Sequence, residues 1–305
     1  MRPLVQRLGY MTVHAVDPER VAEDTANNVG ARIVGRDEDG SILMSANKRH
    51  AEYIIRPAES NTHAVCGLEA VTPGAVDEVR TRVEQAGLEV LSTTPSRAVI
   101  EKSVTFRTSE GHVFEVHTPM PLDRTLFYPG PGLRPKGVDH VNFTAADPER
   151  WAHEMNATCG FLLSERTTGH EISWMRAADG RHHTVAVVKS ETSGLHHTSW
   201  EYNSFQDFKG LADALIPEGR TLVWGPGRHG AGDNLFLYFK NSADFLIECI
   251  AEMEVIHDDY MEPRVVDPGE NLSNVRVVNQ WGALPPIEWV QHHTGLAPES
   301  AHQLT

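Results

Sequence analysis

An internal repeat constrains the fold of this chain more than any other feature of the sequence. Residues 8–30 (LGYMTVHAVDPERVAEDTANNVG) and 138–160 (VDHVNFTAADPERWAHEMNATCG) share an Asp-Pro-Glu-Arg segment and a closing glycine, at an offset of 130 residues. Further along, residues 106–115 align with residues 239–248 at an offset of 133. A period of this length indicates a duplicated domain and excludes a solenoid of short repeats.

Three aligned positions could hold a metal ion, and the two copies differ at two of them. The first half has Tyr10, Val65 and Glu115 there, and the second half has His140, His197 and Glu248. Two imidazoles and one carboxylate are the ligand set of many non-haem Fe(II) sites. Each of these residues alone is more often structural, and Glu115 shows that the glutamate also occurs in the copy without histidines. Only the trio together predicts a metal site, one per chain and in the second half.

The size and charge of the chain limit the other possibilities. Its 305 residues, 40% of them hydrophobic, suffice for two domains with ordinary cores. We expect an N-terminal domain without metal over residues 1–125, a second domain with the metal site over residues 126–290, and a tail over residues 291–305. The net charge of −15, without any basic run, argues against nucleic acid as a partner.

The sequence also bears on where the protein works. The first residues lack the long apolar core of a signal peptide, and no stretch reaches the roughly 20 apolar residues of a membrane helix. The three cysteines are odd in number and widely spaced, which fits free thiols in a reducing compartment. We therefore expect a soluble, cytoplasmic protein that does not bind a membrane.

The pattern of apolar residues predicts an α+β fold. Each half begins with a short strand, followed by a helix that starts at an Asp-Pro pair and ends at a glycine. Strand-like segments follow, and the order strand, helix, strands begins again near residues 63 and 195. This order predicts a duplicated domain of four βαβββ modules, which form two half-barrel-like mixed-sheet domains.

Several motifs of the second half resemble those of one family. The segment from Gly227-Arg228-His229 through Leu237-Tyr238 to Glu248 resembles the signature of the type I extradiol ring-cleavage (catechol 2,3-) dioxygenases, in the vicinal oxygen chelate superfamily. Val138-Asp139-His140 and the pair His196-His197 resemble the two metal-histidine motifs of that family. The resemblance covers most of the chain, from about residue 8 to residue 248.

The resemblance implies a reaction and roles for particular residues. It implies an Fe(II) enzyme, with Mn(II) also possible, that inserts both atoms of the co-substrate O₂ into a catechol-type ring next to the diol. The product would be of the 2-hydroxymuconic semialdehyde type, and the pathway would be the catabolism of aromatic compounds. The implied residues are His140, His197 and Glu248 as metal ligands, His183, His229 and Tyr238 as catalytic residues, and Asn142, His229 and Tyr238 as substrate-binding residues. The family also implies a homo-oligomer.

The sequence departs from the family pattern at a few positions. Ser242 and Asp244 replace the usual proline and glycine between the tyrosine and the glutamate, which removes no ligand. Trp224 stands where the homoprotocatechuate branch has an arginine for the substrate carboxylate, and this argues against a carboxylate-bearing catechol. Strand alternation leaves open whether His182 or His183 faces the site.

Other functions are compatible with parts of this pattern. A glyoxalase-like metal isomerase or lyase of the same superfamily often has two glutamates and does not require the set His183, His229 and Tyr238. A non-catalytic paralogue that binds an aromatic molecule would not need the metal trio. Fe(II) and Mn(II) both accept two histidines and a glutamate, so the ligand types do not separate them.

Overall fold

The computed structural model describes residues 2–125 and 132–298, which form two halves of the same architecture. The first half contains β1 (Val5–Ala15), α1 (Pro18–Asp24), β2 (Arg32–Arg36), β3 (Ile42–Ser45), β4 (Tyr53–Pro57), β5 (Thr62–Ala70), α2 (Pro73–Gln85), β6 (Glu89–Ser92), β7 (Ser103–Arg107) and β8 (Val113–His117). The predicted domain limit at residues 125/126 lies at the edge of the described ranges. The end of the predicted tail lies outside them. The division into domains therefore stays a prediction.

The second half repeats these elements in the same order. It contains β9 (Gly137–Ala145), α3 (Pro148–Cys159), β10 (Leu162–Thr167), β11 (Ile172–Arg176), β12 (Val185–Lys189), β13 (Gly194–Glu201), α4 (Phe205–Leu215), β14 (Trp224–Arg228), β15 (Leu235–Lys240) and β16 (Leu246–Ala251). A C-terminal segment follows with β17 (Arg264–Val266), α5 (Ile287–Val290) and β18 (Thr294–Gly295). The chain thus has four βαβββ modules, and the predicted α+β class with a duplicated, mixed-sheet domain is confirmed.

The two sheets have the same strand order. The first sheet runs β2-β3-β4-β1-β5-β8-β7-β6, and the second runs β10-β11-β12-β9-β13-β16-β15-β14. The C-terminal segment adds to the second sheet, because β17 pairs with β10 and β18 pairs with β13. Parallel pairs such as β5 with β8 alternate with antiparallel pairs such as β7 with β8, so both sheets are mixed.

The start and the end of the helices follow the sequence signals. The side chains of Asp17 and Asp147 each accept a hydrogen bond from the backbone N–H three residues later, at 3.0 Å. A proline occupies the first turn of both α1 and α3. Gly30 and Gly160 end the helices with φ of 91° and 73°, a left-handed conformation that glycine adopts without steric cost. One difference is that α1 continues as a π-helical turn over Thr25–Val29.

The sequence pattern does not predict two of the strands, β6 and β14. The apolar pattern predicts one strand over residues 98–106, but β7 begins only at Ser103, and β6 lies before it. In the second half, β14 contains Gly-Pro-Gly, a composition typical of a loop. Both β6 and β14 are edge strands of their halves, where short length and proline are tolerated because one side of the strand needs no ladder.

The two halves pack against each other through one continuous hydrophobic core. Phe114 of the first half lies edge-on to Phe143 of the second, with ring centroids 5.4 Å apart. The buried carboxylate of Asp24 forms a two-pronged ion pair with Arg220, at 2.8 and 3.0 Å, and thereby also joins the halves. None of the described helices is long and apolar enough to span a membrane.

Candidate active site

Three neighbouring strands of the second sheet bring the predicted metal ligands together. His140 lies on β9, His197 on β13 and Glu248 on β16, and these strands are adjacent in the order β16-β13-β9. One ligand atom from each residue can be chosen so that all lie within 4.8 Å of one another. All three side chains are buried, so the cluster is withdrawn from bulk water.

The atoms that converge are the Nε2 atoms of both imidazoles and one oxygen of the carboxylate. Oε2 of Glu248 lies 2.7 Å from Nε2 of His140 and 3.3 Å from Nε2 of His197. Despite these short contacts, Oε2 has no partner in hydrogen-bond geometry among the described residues. A buried carboxylate oxygen without a hydrogen bond is costly unless a cation binds it, so this arrangement fits a divalent metal ion.

The opposite nitrogen of each imidazole is held by a neighbour in the sequence. Nδ1 of His140 lies 2.8 Å from Oδ2 of Asp139, whose other oxygen lies 2.5 Å from the guanidinium of Arg181. Nδ1 of His197 lies 2.6 Å from Nδ1 of His196. Partners of this kind fix the ring orientation and the tautomer of metal-binding histidines. The sequence did not single out Asp139, although its position next to His140 was visible.

The structure places His183, and not His182, in the cavity beside the metal cluster. The ring of His183 lies 4.2 Å from the ring of His140, measured between centroids. His182 faces away and links Nδ1 of His183, at 3.0 Å, to the carboxylate of Glu165, at 3.3 Å. Burial, together with the neighbouring His140 and His182, lowers the pKa of His183 well below 6.5. His183 is therefore a neutral imidazole at pH 7.

Tyr238 and His229 converge on the other oxygen of Glu248. The hydroxyl of Tyr238 donates a hydrogen bond to Oε1 of Glu248 at 2.7 Å, and Nε2 of His229 lies 3.0 Å from that hydroxyl. His229 is held at Nδ1 by the carbonyl of Val278. Burial and the adjacent carboxylate raise the pKa of Tyr238 well above 10. Burial would also raise the pKa of Glu248, but His140, His197 and His229 hold it well below its usual range.

These residues border a small cavity of about 30 Å³ whose walls combine polar and apolar side chains. The residues that border it are His140, Asn142, Ile172, Trp174, His183, His197, His229, Ala231, Tyr238, Glu248, Val277, Val278 and Trp289. No lysine or arginine of the described chain borders it. Oδ1 of Asn142 is buried there without a hydrogen-bond partner among the described residues, and a substrate hydroxyl could satisfy it.

The C-terminal segment supplies part of this cavity, which the sequence did not reveal. Val277, Val278 and Trp289 come from this segment, whose sequence shows no clear periodicity. The backbone carbonyl of Trp289 lies 2.9 Å from Nε2 of His196, so the segment is tied to the strand that carries His197. Trp200, on the same strand as His197, lies in the core against Tyr53 and does not border the cavity.

Comparison with known proteins gives relatives of the expected kind. A manganese-dependent 2,3-dihydroxybiphenyl 1,2-dioxygenase from Geobacillus genomosp. 3 is 25% identical over 308 residues, which cover 94% of this chain and 91% of the relative. The predicted resemblance to extradiol dioxygenases is confirmed. Metapyrocatechases from other bacteria also match parts of this chain. No family model matches it.

Two solved structures share the fold of this chain. Homoprotocatechuate 2,3-dioxygenase from Arthrobacter globiformis superposes with a TM-score of 0.83 and 18% identity, over 98% of this chain and 94% of that one. A Mn(II)-bound glyoxalase from Novosphingobium aromaticivorans superposes equally well, with a TM-score of 0.83, 24% identity and 97% of each chain covered. The fold is thus shared by both enzyme classes, and the choice between them depends on the site.

Proposed function

We propose that this chain is a metal-dependent extradiol dioxygenase, which inserts both atoms of O₂ into a catechol-type substrate and opens the ring next to the diol. The observation that carries the proposal is the convergence of His140, His197 and Glu248 in a buried cavity that also contains His183 and Tyr238. The product would be of the 2-hydroxymuconic semialdehyde type. We expect the protein to act in aromatic catabolism as a homo-oligomer.

His140, His197 and Glu248 would hold the metal, which we propose to be Fe(II), with Mn(II) as the alternative that the Geobacillus relative favours. When bound, a divalent metal supplies coordination positions and positive charge that favour a deprotonated diol and the activation of O₂. A set of two neutral imidazoles and one carboxylate contributes a single negative charge, so the site remains cationic toward a catecholate.

His183 would move the proton. Because its pKa is lowered, the resting imidazole is neutral, and a proton that it takes from the bound catechol is released again readily. It can then return this proton to an oxygen atom as the ring opens. The link from His183 through His182 to Glu165 fixes the orientation of the ring for both steps.

Tyr238, His229 and Asn142 would position the substrate. The hydroxyl of Tyr238 and Nε2 of His229 lie on the same side of Glu248, where they can turn from the carboxylate to the oxygens of the diol. The unpaired Oδ1 of Asn142 can accept a hydrogen bond from the substrate hydroxyl. The apolar walls from Ile172, Trp174 and Val277 exclude water from the ring.

Oxygen uptake with catechol tests the proposal. Protein loaded anaerobically with Fe(II), and in parallel with Mn(II), is mixed with catechol and air in an oxygen-electrode cell. We expect one O₂ consumed per ring and the yellow colour of the ring-opened product with at least one of the two metals. Metal-loaded protein that consumes no O₂ with any of a panel of substituted catechols would refute the dioxygenase function.

The glyoxalase fold neighbour defines the second candidate function, an isomerase or lyase reaction at the same metal. The set of His183, His229 and Tyr238 around two histidines and one glutamate favours the dioxygenase, because an isomerase has no need of this set. A metal-loaded sample that isomerises a glutathione hemithioacetal but leaves catechol and O₂ untouched would select the second candidate.

A further inference from the structure

The first half contains its own cavity at the place that corresponds to the metal centre. This cavity measures about 190 Å³, compared with about 30 Å³ for the cavity at the metal cluster. Tyr10, Val65 and Glu115, the counterparts of the three proposed metal ligands, all border it. Tyr10 and Val65 stand where the second half has its two imidazole ligands. The cavity therefore requires a different explanation from a second metal site.

Smaller side chains in the first half create this space. Thr105 pairs with Glu115 across β7 and β8 in the same register in which Tyr238 pairs with Glu248 across β15 and β16. A threonine therefore takes the place of the tyrosine, and Val65 takes the place of a histidine. The volume that Tyr238 and the second imidazole fill in the second half is left open in the first.

Glu115 is satisfied without a metal. It accepts hydrogen bonds from the hydroxyl of Tyr10, and from the backbone N–H and the hydroxyl of Ser96 at 2.9 and 2.5 Å. Three donors thus hold a fully buried carboxylate. The carboxylate therefore needs no cation, and the space in front of it is open to an organic molecule.

Two polar groups of this cavity are placed to contact a ligand: an unpaired hydroxyl, and an arginine whose ion-pair partner, Asp39, also borders the cavity. Oγ1 of Thr105, a residue only 4% exposed, has no hydrogen-bond partner in the described part of the chain. At the rim, Arg56 has a single ion-pair partner among the described residues, Asp39, with 3.5 Å between Nε and Oδ2. Ile54 and Ala64 provide apolar walls between the two groups. The cavity therefore offers a hydroxyl inside, an apolar middle and a guanidinium at its mouth.

We infer that this cavity binds a single-ring aromatic carboxylate that carries a hydroxyl group. An apolar cavity of about 150 Å³ accommodates a benzene ring, so one substituted ring fits here. The ring would lie against Ile54, with its hydroxyl toward Thr105. Its carboxylate would lie at the rim and form a bidentate pair with Arg56, where it would compete with Asp39 for the guanidinium. This site is separate from the proposed catalytic centre and does not depend on its chemistry.

Titration calorimetry of the full, metal-loaded chain with 4-hydroxybenzoate tests the inference. We expect saturable binding of one molecule per chain. The Arg56→Gln variant should bind about tenfold more weakly, as expected for the loss of a charged bidentate pair. Arg80→Gln removes a surface arginine that does not border the cavity and whose partner is Glu84 on α2, and it should bind like the parent. The amide analogue 4-hydroxybenzamide should not distinguish Arg56→Gln from the parent.

A second variant separates this cavity from the catalytic one. Thr105→Tyr introduces the side chain that the second half has at this register, and it should fill the cavity and abolish binding. Thr105→Val keeps the shape and removes only the hydroxyl, so it should weaken binding even if the larger replacement does not fold. Absence of saturable heat with the parent, unchanged affinity in both Thr105 variants, or displacement of 4-hydroxybenzoate by catechol would each overturn the inference.

Discussion

Tyr10 and His140 occupy the same position in the two halves, and each directs its polar atom at the glutamate of its own half. The hydroxyl of Tyr10 donates to Glu115, while Nε2 of His140 lies 2.7 Å from Glu248. Tyr10 and Ser96 together satisfy Glu115 by hydrogen bonds, whereas the imidazole of His140 shares Glu248 with a site that a metal ion would fill. The exchange of tyrosine for histidine thus replaces a structural hydrogen bond by a candidate ligand pair.

The duplicated chain provides an internal control for metal binding. Glu248→Gln should lose the metal, because an amide is a much poorer ligand than a carboxylate for this set. The matched change Glu115→Gln in the first half should leave the metal content unchanged. Both contents can be measured by plasma emission spectrometry after metal loading and desalting. Equal metal contents in the two variants would show that the cluster does not bind the metal.

Replacement of His183 should separate metal binding from turnover. His183→Phe keeps a ring in the cavity but removes the proton acceptor, and kcat for catechol should fall by about 10²–10⁴, the usual contribution of an acid–base residue. The metal content should equal that of the parent, because His183 is not among the three converging ligands. Steady-state O₂ uptake and metal analysis on the same sample test both statements, and full activity of His183→Phe would disprove the proton-transfer role.

The sequence predicted the fold better than it predicted the walls of the site. The offsets near 130 residues predicted the duplicated sheets, and the spacing of His140, His197 and Glu248 predicted their convergence as a hypothesis. Strand alternation could not tell His182 from His183, because the choice depends on which face of the second sheet becomes concave around the site. The position of Trp289 in the cavity wall could not be predicted. This residue lies in a segment without periodicity, which acquires its position by packing on β13.

Asp139 should govern metal affinity through His140. Its carboxylate holds Nδ1 of the imidazole, and its loss should lower metal affinity by about 10–100-fold, as for other partners of metal-bound histidines. Asp139→Asn therefore should release metal to a competing chelator at lower chelator concentrations than the parent. Asp179→Asn is the matched control. Asp179 lies near Arg181, the arginine that also pairs with Asp139, but it accepts a hydrogen bond only from the backbone N–H of Arg181. Equal release from both variants would rule out this role.

The junction between the halves should weaken in mild acid because of His112. Burial lowers the pKa of this imidazole to about 4, although the carbonyls of Thr144 and Gly194 partly oppose the shift. The unfolded chain, in which the pKa is about 6.5, binds the proton first as the pH falls. The contribution of a neutral His112 to stability is therefore complete above about pH 6.5 and is lost as the pH falls toward 4.

A glutamine at position 112 cannot titrate and serves as the test. Between pH 7 and pH 5 the free energy of unfolding should fall by about 2 kcal/mol less in His112→Gln than in the parent. Guanidinium denaturation at the two pH values measures this difference. Comparing the change in the free energy of unfolding between the two proteins removes the contribution of the other buried histidines, which titrate in both. An identical change with pH in the two proteins would mean that His112 is not the titrating group.

The cavity at the metal cluster should prefer uncharged catechols. Trp224 stacks on Tyr238 with ring centroids 5.5 Å apart and donates its indole N–H to the carbonyl of Ala283, so an apolar ring is fixed behind a residue that borders the cavity. No cationic side chain of the described chain borders the cavity, and a carboxylate on the substrate would be buried without a partner. We expect kcat/KM for catechol or 4-methylcatechol to exceed that for 3,4-dihydroxyphenylacetate by about a hundredfold. Trp224→Arg should lower this ratio by raising kcat/KM for 3,4-dihydroxyphenylacetate. A parent protein that prefers 3,4-dihydroxyphenylacetate would contradict the assignment of the cavity as neutral.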